Sequence, residues 1–158
     1  MKEIKLTQSK FALVDDEDFE RVSKFKWYAM RTETSSYYAR TNYNHKRIGM
    51  HQLIMNTIEK GRHVQVDHIN NDTLDNRKLN LRICSAAQNM RNMKVHKDNK
   101  CGYKGVYYEK TKNKYISRIC FNKKKYHIGE FNTSIEAAKA YNAKAIELHG
   151  EFARVNEI

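Results

Sequence analysis

Apolar residues along this chain come in short alternating bursts, separated by turns rich in amides and lysines. Phe11 to Val14 predicts a strand, and Asp15 to Asp18 place cap and first-turn acids on a short helix carrying Phe19, Val22 and Phe25. Trp27 to Met30, Tyr37 to Thr41 and Arg47 to Met50 predict three further strands. Val64, Val66 and His68 then alternate with Gln65 and Asp67, a short strand that either sends Asp67 and His68 to opposite sides or frays there. Asn70 to Thr73 has the composition of a turn. Leu79, Leu81 and Ile83 alternate again and predict a second strand, antiparallel to the first. Ser85 with Gln88 is a capping-box spacing, so a helix starts near Ala86 and carries Asn89.

Beyond this strand, loop, strand, helix unit, residues 94–101 show no apolar periodicity and read as a basic linker. Alternation returns at Val106 and Tyr108, at Tyr115 to Phe121, and at Tyr126 and Ile128, with Thr111-Lys112-Asn113 and Asn122-Lys123 where hairpin turns are needed. A helix follows, capped by Thr133 with Glu136, striped by Ile135, Ala138, Tyr141, Ala145 and Leu148, and ended by Gly150. The expected class is α+β in two domains: 1–93, then the linker 94–101, then 102–158 with a three-stranded antiparallel sheet packed on one helix.

Charge narrows the partners. Thirty Lys and Arg against eighteen Asp and Glu give a net charge of +12. Between Arg91 and Ile128 twelve basic residues face only Asp98 and Glu109. That concentration favours a polyanion, and a twisted sheet can enter the major groove of duplex DNA. No apolar run approaches the roughly 18 residues of a membrane span, and the first ten residues carry no apolar signal core. No membrane association is expected, and the expected place is the cytoplasm, at DNA, rather than outside the cell. Cys84, Cys101 and Cys120 are odd in number and far apart, with no C-x-x-C pair, so neither a disulfide framework nor a zinc knuckle is indicated.

The concentrated chemistry lies in Val66 to Met93. A histidine at a strand end beside a carboxylate, with a side-chain amide arriving from a helix, can bind one divalent cation through hard oxygens and leave the imidazole as a base. Asp67-His68, Asp75-Asn76-Arg77, Asn80-Leu81-Arg82 and Asn89 resemble the HNH nuclease motif of phage and intron homing endonucleases, a ββα-metal (His-Me finger) unit. The resemblance implies Asp67 and Asn89 as ligands of one divalent metal, Mg²⁺ or Mn²⁺. It makes His68 the general base and gives Asn80 the task of orienting the imidazole. It also implies a 5′ phosphate and a 3′ hydroxyl as products. Arg77 and Arg82 either touch the DNA backbone or are exposed arginines with no such task. Met50 to Met55 resembles the short helix that precedes the Asp-His strand in that family; His51 on it either lines the site or packs. Trp27, Tyr28, Tyr37 and Tyr38 either stack on bases or fill the core.

The second half resembles the AP2 DNA-binding domain in G-Y-K-G-V-Y-Y, K-Y-I-S-R-I, H-I-G-E-F-N-T and the helix from Glu136 to Gly150. By that likeness Tyr107, Glu109, Arg118, Cys120, Lys125 and His127 face double-stranded DNA. Arg118 is then the candidate for a guanine contact, and Lys123 and Lys124 for phosphate. The resulting expectation is a site-directed, metal-dependent DNA endonuclease of the homing type, cutting within about one helical turn of its footprint. Its rivals are a DNA-binding regulator with an inactive nuclease domain, a non-specific nuclease, and an RNA-binding module that stacks bases on its aromatics. No obligate protein partner is expected, and the sequence leaves open the oligomeric state.

Overall fold

The computed structural model describes residues 1–33, 35–61, 63–93, 95 and 98–158. Its contacts divide the chain into two compact units, Met1–Asn89 and Met90–Ile158. The division falls before the expected boundary at residue 93, because the Lys104 ammonium donates to the carbonyls of Arg91 and Met93 at 2.5 and 2.7 Å. Lys94, His96 and Lys97 of the expected linker lie outside the described residues. Asn99, at its far end, is already part of the second unit, donating to the carbonyls of Tyr103 and Val106.

In the first unit, β1 (Lys2–Lys5) pairs antiparallel with β2 (Phe11–Val14). The sequence reading did not anticipate β1, since only Ile4 of its four residues is buried and no alternation stands out. Next come α1 (Asp16–Ser23) and an antiparallel sheet of β3 (Tyr28–Arg31), β4 (Tyr37–Tyr43) and β5 (Lys46–Gly49), with β4 central. The chain passes directly into α2 (Met50–Ile54). Then β6 (Gln65–His68) pairs antiparallel with β7 (Leu81–Cys84), Val66 opposite Ile83, and α3 (Ala86–Arg91) follows. Leu79, expected in a strand, sits 90% exposed in a 3-10 turn, Lys78–Asn80, and the strand begins only at Leu81. One core cluster gathers Leu6, Val14, Val22, Trp27, Met50, Ile54, Val66 and Leu81, so the two-stranded β6–β7 element rests on the scaffold's core. Trp27 belongs to that core, its indole N–H donating to the Val22 carbonyl, while Tyr28, Tyr37 and Tyr38 are half-buried.

The second unit is an antiparallel sheet of β8 (Val106–Glu109), β9 (Lys114–Phe121) and β10 (Lys124–Phe131), with β9 central and α4 (Ser134–His149) packed on all three strands. Thr133 and Glu136 cap α4 reciprocally. Ala137, Ala138, Tyr141 and Ala145 are its buried stripe, and small residues there let helix and sheet approach. Ile135, expected in that stripe, is 47% exposed in the first turn, with Ala137 buried instead. Gly105 is required where it stands: its φ is +76°, and a Cβ would lie 2.1 Å from the Tyr141 ring. Among the described residues no helix is long and apolar enough to cross a membrane.

Candidate active site

The loop between β6 and β7 is held from both sides. From the scaffold, the Leu13 amide donates to the Leu74 carbonyl, and the Leu13 carbonyl accepts from the Asn76 amide. The Asp15 carboxylate caps the Lys78 amide at 2.8 Å, and the Thr73 hydroxyl donates to the Tyr37 carbonyl. From within, Asp72 accepts from the Leu74 amide and Asn70 from the Asp72 amide, the Asx-turn chemistry that the amide-rich composition implied. Asp75 is 2% exposed and grips Arg77 through both carboxylate oxygens at 2.7 and 2.6 Å. That contact and the one with Asn70 draw its pKa down, the Arg77 hydrogen bond leading. Arg77, a candidate for DNA contact by sequence, makes this pair with its side chain still 37% exposed.

His68 sits at the end of β6, 4% exposed. Burial is the chief cause that holds its pKa below the ordinary imidazole value. The amide facing its ring is Asn76, with Oδ1 3.4 Å from Nε2. Asn76 donates its Nδ2 to the Leu74 carbonyl at 3.0 Å, so the atom turned on the imidazole is the oxygen. An acceptor there calls for the proton on Nε2 and leaves the lone pair on Nδ1. The resemblance gives the orienting task to Asn80, whose side-chain amide bonds elsewhere. The Asn80 side chain closes the loop instead, accepting from the Asn70 amide at 3.0 Å and donating to the Asp75 carbonyl at 2.8 Å. Asn76 belongs to the Asp75-Asn76-Arg77 stretch of the motif, but spacing alone does not rank two asparagines in one loop. Asn76→Ala is expected to lower turnover by about 10–100-fold, the usual scale for a partner that orients an active group. DNA affinity should stay near the parent's, and a parallel loss of affinity would refute that role.

Asp67 is 6% exposed, and its Oδ2 accepts from both Nε and Nη2 of Arg82 at 2.9 and 2.7 Å. The second DNA candidate of this region is therefore an internal ion-pair partner, its side chain only 12% exposed. Asn89 lies on α3 and donates its Nδ2 to Gln65 Oε1 of β6 at 2.8 Å. With that nitrogen engaged, the amide oxygen is the atom available as a ligand. Among the described residues no group of three or more His, Cys, Asp and Glu is assembled for a metal. By their chemistry, one carboxylate and one amide oxygen nonetheless suit a hard divalent cation that completes its shell with water and substrate phosphate. Both side chains bring oxygen donors, the chemistry such an ion prefers.

Three rings meet at the site. His68 is 5.2 Å from His51 and 5.8 Å from Tyr38, and Tyr38 is 5.7 Å from His51, all edge to face. His51 is 6% exposed with Nδ1 buried and unpartnered. Burial first, then His68 and Arg40, pull its pKa well below the usual value. A histidine kept neutral in the fold binds its proton only on unfolding, so its contribution to stability is present above pH about 6.5 and is lost as pH falls. Stability is expected to drop by up to about 1.4 kcal/mol per pH unit below that point for each such imidazole. Thermal melts from pH 7.5 to 5.5 check this, with His51→Phe flattening the slope.

In the second unit the register puts the six expected DNA-facing residues on one side of the sheet. Tyr107 is opposite Ile116, Glu109 opposite Lys114, Arg118 opposite His127 and Cys120 opposite Lys125. Arg118, Cys120, Lys125 and His127 are exposed, and the Arg118 guanidinium lies 4.8 Å over the Tyr107 ring. Lys123 and Lys124 stand at the hairpin turn, Lys123 with φ of 64°. Glu109 accepts from the Thr111 hydroxyl.

Comparison with known proteins bears on the first unit directly. The family model for HNH endonucleases matches residues 57–91, which contain Asp67, His68, Asn76, Asn80 and Asn89. The chain is 33% identical over 151 residues to an uncharacterised HNH endonuclease of Acanthamoeba polyphaga mimivirus, covering 94% of this chain and 75% of that one. It is 31% identical over 89 residues to protein 3.8 of Escherichia phage T7, covering 56% of this chain and 73% of the phage protein. No solved structure matches.

Proposed function

Since the chain belongs to the HNH endonuclease family, we propose that it is a site-directed endonuclease that hydrolyses phosphodiester bonds in double-stranded DNA, with His68 as general base. The observation that supports this most is the buried His68 on β6, its Nε2 turned to the oxygen of Asn76, beside the Asp67 carboxylate. With the proton on Nε2, Nδ1 takes a proton from the water that attacks phosphorus in line. A lowered pKa keeps that nitrogen unprotonated at neutral pH. Asn76 and the pinned loop hold the ring through the step, so little reorganisation is spent there. Asp67 and Asn89 would hold one divalent cation, Mg²⁺ or Mn²⁺, which when bound supplies electrostatic stabilisation of the charge on the leaving oxygen.

The second unit gives the cut its address in this reading. Its basic, exposed sheet face, with Arg118 stacked on Tyr107, suits the major groove in the manner of an AP2-like domain. The test is conversion of supercoiled plasmid carrying a selected binding site, with and without Mg²⁺. Nicked product that depends on the cation supports the proposal. Tight binding with no cleavage under Mg²⁺ or Mn²⁺ would refute it in favour of a DNA-binding regulator on a nuclease scaffold.

A further inference from the structure

The arginines around the site are not alike. Arg21 pairs with Asp18, Arg77 with Asp75 and Arg82 with Asp67. Arg40 on β4 is half-buried and pairs with no carboxylate among the described residues. Its Nη1 donates to Gln52 Oε1 at 3.3 Å, and its Nε is buried with no partner. A guanidinium withdrawn from water without a counter-charge is costly, and burial lowers its pKa accordingly. Yet its position is closely held. Its Cζ lies 5.5 Å over the Tyr38 ring, and Gln52, which receives it, is itself fixed by the Gly49 amide at 2.8 Å. Gly49 leaves the space: a Cβ there would lie 3.0 Å from Arg40 Nη1 and 2.6 Å from the His51 ring.

We propose that Arg40 is a preset binding site for a phosphate of the DNA strand being cut, close to the bond that His68 attacks. The inference rests on the nuclease reading for the word "cut" and on the geometry for the rest. Tyr38 touches both groups, its ring 5.5 Å from the Arg40 guanidinium and 5.8 Å from the His68 imidazole. The two therefore lie within about three nucleotide steps, at about 3.4 Å of rise per step along one strand. Beyond the hydrogen bond from Nη1 to Gln52, the planar guanidinium keeps N–H donors that no acceptor among the described residues takes, and a phosphate can accept them in parallel. An incoming phosphate would supply the counter-charge that the fold omits. In this role Arg40 touches the substrate, while Tyr38, Gln52 and Gly49 position it.

The test measures binding and cleavage separately, on the full chain. Binding of a short duplex, enriched by selection on the parent, is measured against salt in EDTA, so that no cutting interferes. Arg40→Gln is expected to reduce the slope of log K against log salt by about 0.9, the release of one counterion fewer. Arg40→Lys should keep the parent's slope and bind at least threefold more weakly, because a point charge replaces the fork. In single-turnover plasmid cleavage with Mg²⁺, Arg40→Gln should be slower by at least tenfold. Thermal melts establish that each variant is folded. Should the glutamine variant fail to fold, the lysine variant decides alone: parental affinity and parental cleavage would overturn the proposal. An unchanged slope in a folded Arg40→Gln would overturn it as well. If the parent itself never cuts, the nuclease reading fails, and the slope still decides whether Arg40 holds a phosphate.

Discussion

His68→Ala is expected to lower the rate of plasmid nicking by about 10²–10⁴-fold, the range that a positioned acid or base contributes. DNA affinity in EDTA should remain within a few fold of the parent's. The expectation comes from what the ring has around it: Asn76 holds Nε2, Tyr38 and His51 pack on its faces and edges, and Asp67 is its neighbour in the strand. His51, the nearest imidazole, is 6% exposed. A truncation in this packed spot also costs stability, so the rate must be taken well below the melting transition. Nicking by His68→Ala at a rate within threefold of the parent would remove His68 as the base.

The second large effect is structural and chemical together. Asp67→Ala takes away the carboxylate to which Arg82 gives two hydrogen bonds, leaving a guanidinium 12% exposed without it. Breaking a buried pair from one side costs about 3–5 kcal/mol. For a unit of this size that corresponds to roughly 15 °C or more in the melting of the first unit. The variant should also lose cleavage, since Asp67 is one of the two proposed cation ligands. The double variant Asp67→Ala/Arg82→Met separates the two losses. It is expected to regain most of the stability, because the charge that needed a partner is gone, and to remain inactive. Recovery of cleavage in the double variant would show that Asp67 serves the fold alone. The second unit offers an internal control, its melt being measured in the same scan.

These outcomes depend on contacts of two different origins, and the difference marks what could be read from the residues. The strand, loop, strand, helix order of residues 64 to 91 is visible in alternation, in the Asn70 to Thr73 turn and in the Ser85–Gln88 cap, all of them local and all present in the structure. The three strands and capped helix of the second unit were visible for the same reason. Local chemistry misled at Leu79, where apolar alternation with Leu81 and Ile83 suggested a strand. The Asp15 carboxylate, far off in sequence, caps the Lys78 amide and the chain turns there. β1 was illegible because a strand with a single buried residue leaves no period to find.

What the sequence by itself determined is the set of elements and the adjacency of Asp67 to His68, because strand period, capping and turn chemistry act between residues a few positions apart. Only the tertiary structure decided which amide turns on the imidazole, since Asn76 and Asn80 differ by contacts to Leu74, Asp75 and Asn70 that no spacing encodes. It alone paired Arg77 with Asp75 and Arg82 with Asp67, and left Arg40, unremarked along the chain, with no carboxylate partner among the described residues. The physical reason is common to all three: pairing and burial of a polar group depend on which side chains the folded core brings within about 3 Å, and a linear pattern carries no such distances.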